Sequence, residues 1–214
     1  MSQNGLPSLL DRHWAESALA IGAVVIAGVS LWVAFDAQRT NRELVASQSW
    51  PFIEVYENDT PNDPRIMRLV VNNDGIGPAK LESFELFWKG KAQHNPWELL
   101  TNCCTPAQKS SGPAGSYAAL QSNVDLETSS DEGIVVRAGE SIPILVLTRR
   151  AGSTDIWDAL HSKLRGNVSL RYCYCSAFDE CWLATQLFGH PMSMNPPQVR
   201  ACPQPQVTYN NIGG

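Results

Sequence analysis

The chain has 214 residues, of which 43 % are hydrophobic and 17 % charged, and its formal net charge is −5. That length holds one or two domains. From Gln48 onward, 13 Lys and Arg stand against 17 Asp and Glu. A mildly acidic surface argues against nucleic acid, whose phosphates call for clustered cations, and against adsorption onto anionic lipid.

Residues 1–16 form a short N-terminal tail. Ser17 to Phe35 reads SALAIGAVVIAGVSLWVAF, with no charge. As a helix rising 1.5 Å per residue it covers about 28 Å, close to the roughly 30 Å hydrocarbon core of a bilayer. Trp14 and Trp32 lie near its ends, where indole favours the interface. The segment 17–35 is therefore expected to span a membrane, in a single pass. A cleaved signal peptide fits less well, because Val33 to Ala37 offers no pair of small residues for cleavage. Ala18 and Gly22 are four apart, as are Ala23 and Ala27, with Gly28 alongside. Such spacing lets helix backbones approach closely and makes these five residues candidates for helix packing, although small residues are common in such helices. Residues 36–49 are polar and helix-permissive, and are expected to continue as a juxtamembrane stalk that Trp50-Pro51 ends.

Residues 50–214 change texture to short β-type runs between turns. Strands are expected at Phe52–Tyr56, Ile66–Asn72, Ala79–Trp88, Ile134–Arg137, Ile142–Thr148, Asn167–Cys175 and Cys181–Leu187. Asn73-Asp74-Gly75-Ile76-Gly77-Pro78 reads as a tight turn in which glycine supplies a positive φ. Helices are expected at Pro96–Leu100 and from Thr154, capped by Ser153 or Thr154, to a Gly166 C′ residue. Residues 105–128 read as a long loop, and the Pro-rich tail from His190 as extended chain. In the Asn167–Cys175 strand, Val168, Leu170, Tyr172 and Tyr174 share one face, and Ser169, Arg171, Cys173 and Cys175 the other. Seven or so short strands with few helices point to an immunoglobulin-like antiparallel β-sandwich.

The run Val70-Val71-Asn72-Asn73-Asp74-Gly75-Ile76-Gly77-Pro78-Ala79 and the run from Tyr172 to Trp182, YCYCSAFDECW, resemble segments of uncharacterised bacterial single-span membrane proteins. The resemblance implies an envelope protein with a β-sandwich-like domain and carries over no catalytic residue.

Six cysteines, an even number, lie outside the apolar segment: Cys103, Cys104, Cys173, Cys175, Cys181 and Cys202. They read as disulfides of an oxidising compartment. Cys175 and Cys181 flank a five-residue loop and fall within bridging range in a hairpin. Cys173 has Cys103, Cys104 or Cys202 as possible partners. The adjacent Cys103 and Cys104 are expected to bond separate partners. Reduced buried thiols and zinc are the rival readings, but for zinc Cys173-x-Cys175 departs from the usual C-x₂₋₄-C spacing and none of His94, His161 and His190 stands at a ligand-like spacing from a cysteine.

Other groups favour plain explanations. Asp179-Glu180 and Asp131-Glu132 read as solvated turn acids. Asn58, Asp59, Asn62 and Asp63 lack the Gly and Glu of a calcium loop. Trp50, Trp88, Trp97, Trp157 and Trp182 read as core more readily than as a carbohydrate platform. No triad-like motif surrounds His94, His161 or His190, and Gly75-x-Gly77-Pro78 lacks a phosphate loop's third glycine. No catalytic residue, metal or cofactor is expected. Flanking charge, Arg39 and Arg42 against Arg12, slightly favours a cytoplasmic C-terminus, whereas the cysteines favour a periplasmic one. The sequence thus predicts a non-enzymatic protein of the bacterial inner membrane with a periplasmic C-terminal domain. It would act by binding, as an accessory subunit, scaffold or self-assembling module. Its partners would be the lipid bilayer and a protein or a second copy, met through the membrane helix and the β domain. An extracytoplasmic ligand sensor, or a metal- or thiol-dependent enzyme, are the alternatives.

Overall fold

The computed structural model describes residues 9–59, 65–105, 120, 124–129 and 133–207. The chain divides into two compact units, Met1–Ser47 and Gln48–Gly214. The first contains α1 (Leu9–Ser47), one uninterrupted helix. Its stretch Glu16–Ser47 is long and apolar enough to cross a membrane, and none of its most apolar window is buried.

The second unit is an antiparallel, two-sheet sandwich. The first sheet has the order β1-β2-β7-β5, where β1 is Ile53–Asp59, β2 Ile66–Asn73, β5 Asp125–Thr128 and β7 Ser141–Thr148. The second has the order β10-β9-β8-β3-β4, with β3 Ala79–Trp88, β4 Lys91–Gln93, β8 Val168–Cys175, β9 Cys181–Leu187 and β10 Gln198–Val199. The short β6 (Val135–Val136) pairs with the start of β3. The unit also contains α2 (Pro96–Cys104) and α3 (Thr154–Lys163), which pack on each other.

Alternation builds the core. Ile53 and Val55 from β1, Met67, Leu69 and Val71 from β2, Leu81 and Phe84 from β3, and Val168, Leu170, Tyr172 and Tyr174 from β8 form one buried cluster between the sheets. Each fully buried aliphatic side chain contributes about 2 kcal/mol. Pro143 lies within β7 opposite Val70, where β2 bulges after Leu69 and the missing N–H breaks no regular ladder. Lys89 and Gly90, both at positive φ, make the two-residue turn between β3 and β4. At α2, Asn95 caps the helix by accepting from Glu98 N, Pro96 occupies the first turn, and the Glu98 carboxylate accepts from His94 N at 2.7 Å. Burial raises the Glu98 pKa, but the His94 N–H and ring outweigh it and hold the carboxyl below its ordinary value.

The two-sheet antiparallel architecture is the one the sequence predicts, with more strands than expected. Residues 105–128 hold β5, although 106–119 and 121–123 lie outside the described residues. The Pro-rich tail contributes β10, which continues the second sheet by pairing with β9. Gly75 does not take a positive φ, as explained below.

Candidate functional site

Two constructions stand out in the second unit: a knot of hydrogen bonds around Asn73, and a strap of C-terminal chain fastened by cysteines.

Asn73 ends β2 and is fully buried. Its Oδ1 accepts from Phe52 N at 3.2 Å and from Gly75 N at 3.0 Å. Its Nδ2 donates to Gly77 O at 2.8 Å and to Val136 O at 2.9 Å. One amide thus satisfies the chain entering the sandwich, the turn after β2, and β6. Backbone bonds reinforce the knot: Asp74 N donates to Phe52 O, Ile76 N to Trp50 O, and Gly139 N to the Asn73 carbonyl. The two glycines are required by crowding. A Cβ at Gly75 would sit 2.6 Å from the Pro51 backbone, and one at Gly77 would overlap the carbonyl of Ser49. The positive φ expected at Gly75 is therefore corrected: the residue is glycine because another backbone passes against it.

The strap runs over the outer face of the second sheet. Gln198 and Val199 pair with Trp182 and Cys181 at the sheet edge. Cys202 then lies at disulfide distance from Cys173 on β8, with Cα atoms 5.6 Å apart. Further on, Gln206 N donates to Glu85 Oε1 on β3 at 2.6 Å. Glu85 is only 3 % exposed, and its other oxygen accepts from Arg171 Nε on β8. The Arg171 guanidinium also lies 5.7 Å from the Phe87 ring centroid. A carboxylate so enclosed is matched by one cation and one N–H, which offsets its desolvation.

Cys175 and Cys181 are also at disulfide distance, their Cα atoms 4.0 Å apart across the β8–β9 hairpin. Asp179 in that loop takes a positive φ, and Ser176 Oγ accepts from Phe178 N and Glu180 N. Asp179 and Glu180 thus serve the turn. Cys103 and Cys104 are brought to disulfide distance of each other at the end of α2, with Lys163 Nζ of α3 donating to Cys103 O at 2.9 Å. The expectation of separate partners is corrected: α2 packs beside α3, whereas the other four cysteines are already paired among themselves on the second sheet.

The remaining candidates fall apart. Trp88, Trp97, Trp157 and Trp182 belong to the core and form no platform. His94 pairs with Glu98, and His161 stacks on Trp157. Asn62 and Asp63 of the calcium-loop candidate, and Asp131-Glu132, lie outside the described residues. On α1, Ala18, Ala23 and Ala27 are exposed, and nothing lies within 4 Å of a Cβ placed at Gly22 or Gly28. Sequence reasoning missed Asn73 and Glu85. The signal for Asn73 was an asparagine beside Gly-x-Gly-Pro; Glu85, at a hydrophobic strand's centre, gave none that names its partner.

Inside the core, Tyr172 donates its OH to Ile53 O at 3.1 Å. Burial, with Tyr174 and Glu54 nearby, pushes its pKa far up. Burial pushes Tyr174 up to about 12, against a smaller opposing effect of the Ile53 backbone beside its hydroxyl.

No curated protein matches the chain. A family model described as a domain of unknown function, DUF8453, matches residues 15–168. The match takes in the apolar part of α1, the Asn73 knot, the first sheet and both α2 and α3, and ends as β8 begins. Cys103 and Cys104 fall within it, and the four strap-face cysteines beyond it. With well over half of its length matched, the chain belongs to the DUF8453 family.

Proposed function

We propose that the chain is a single-pass protein of the bacterial inner membrane whose sandwich is displayed on the periplasmic side and acts by binding. It would serve as an accessory subunit, scaffold or self-assembling module without catalysis of its own. The observation that carries this reading is the pairing of an exposed, apolar α1 with a sandwich whose core, among the described residues, takes none from it. A helix with apolar residues on every side is stable where lipid covers it. Paired cysteines support an oxidising compartment, and the resemblance noted above supports a bacterial envelope.

The test combines fractionation with protease access. The full chain is expected to stay with membranes through high-salt and alkaline washes. External protease should reach the sandwich in spheroplasts, and lysine-directed cross-linking there should trap the chain with a protein partner or a second copy. A sandwich protected from external protease would overturn the orientation. A chain cross-linked to nothing at native abundance would overturn the binding role.

A further inference from the structure

The cysteines of the strap face are arranged for more than two separate staples. Cys175 Sγ lies 3.7 Å from Cys202 Sγ, although each is bonded to another cysteine. The sulfurs of Cys175, Cys181 and Cys202 all lie within 4.8 Å of one another, and Cys173 is bonded to Cys202 beside this group of three. A zinc ion with thiolates at about 2.3 Å sets tetrahedral sulfurs about 3.8 Å apart. The separation between the two disulfides already matches that edge.

We propose that when both disulfides are reduced, Cys173, Cys175, Cys181 and Cys202 form a tetrathiolate site for a thiophilic divalent cation such as Zn²⁺. The metal then fastens the strap in place of the sulfur–sulfur bonds. The fold answers the objection from spacing. On a strand, residues two apart share a face, so Cys173-x-Cys175 presents two ligands side by side. Cys181 stands opposite Cys175 in the hairpin register, and the strap carries Cys202 over them. Cys173, Cys175 and Cys181 are buried, whereas Cys202 is half-exposed and gives a cation its way in.

The steps balance. Each disulfide accepts two electrons and two protons from a dithiol, which departs as its own cyclic disulfide. Binding of the cation then releases the four thiol protons to solvent.

The test uses the full chain in detergent, with Cys103→Ala and Cys104→Ala to remove the neighbouring dithiol. The protein is reduced with excess dithiol, desalted anaerobically and titrated with Co²⁺ as an optical probe. One Co²⁺ per chain is expected, with sulfur-to-metal charge transfer and the intense visible bands of tetrahedral coordination. Zn²⁺ should displace it, and the oxidised protein should bind none. Cys202→Ser should lose the four-sulfur spectrum while Co²⁺ binding weakens. Three results would overturn the proposal. One is a reduced chain that keeps its far-ultraviolet dichroism yet takes no Co²⁺. Another is a spectrum unchanged by Cys202→Ser. The last is a reduced chain that unfolds and stays unfolded with saturating Co²⁺ or Zn²⁺.

Discussion

At the scale of single residues, the sandwich concentrates its polar burden in a few side chains. Asn73→Ala strands the buried Phe52 N–H, the half-buried Gly75 N–H and two carbonyls that one amide now satisfies. Each orphaned group costs about 1–3 kcal/mol, so the variant is expected to lose at least ~3 kcal/mol, read as a lower denaturant midpoint. The two core tyrosines offer a sharper contrast. Tyr172→Phe gives up the bond to Ile53 O and should cost about 1 kcal/mol, whereas Tyr174→Phe removes a hydroxyl that meets only the Ile53 backbone, in poor geometry, and should cost less. Both phenols have raised pKa values, Tyr174 to about 12. In the unfolded chain they titrate near ~10. Stability should therefore hold up to roughly pH 10, then fall as the unfolded state sheds protons that the folded state keeps. Tyrosinate absorbance followed against pH, with the two Phe variants, checks this. Should the double Phe variant show an undiminished alkaline loss, other groups would be responsible.

Elements show where sequence reading succeeds and where it stops. β8 is legible because the period of two assigns each residue a face: Val168, Leu170, Tyr172 and Tyr174 are buried in the core as alternation selects, while Cys173 and Cys175 are buried on the opposite face. β10 is not legible. Its two residues carry no pattern of their own and become strand only because the β9 edge accepts them. The strap is hidden for the same reason: its position depends on a disulfide and on Gln206 meeting Glu85, both set by chain remote in sequence. Loop length then ranks the staples. Cys173 and Cys202 are 29 residues apart and Cys175 and Cys181 are 6 apart. By chain entropy the first restricts the unfolded state by about 3.6 kcal/mol and the second by about 2 kcal/mol. Replacing Cys173 and Cys202 together by Ala is accordingly expected to lower the melting temperature more than replacing Cys175 and Cys181. Calorimetry of the two double variants decides it, and the reverse order would mean that the strap contributes little beyond its covalent tie.

For the whole molecule, the division at Ser47 is a statement about cores. Among the described residues, those of the buried clusters all lie beyond Gln48, while α1 exposes apolar side chains from Trp14 to Val45. The knot around Asn73 takes its first partners from Trp50 and Phe52 and packs Gly77 against Ser49. A fragment comprising residues 48–214 retains every described residue of the buried clusters and of the knot. It is expected to fold in water without detergent, to keep all six cysteines paired, and to melt within a few degrees of the full chain in micelles. Moving the start to residue 53 removes Trp50 and Phe52, keeps the core residue Ile53, and leaves Asn73 with three of its four side-chain bonds. That shorter fragment should lose stability, and adding the substitution to it should cost less than in the longer fragment, because the two changes share the bond from Phe52 N to Asn73. Equal effects of Asn73→Ala in the two fragments would show that the entry segment and the asparagine do not act as one unit. The knot would then be a local turn and no fastening of the chain that follows the helix.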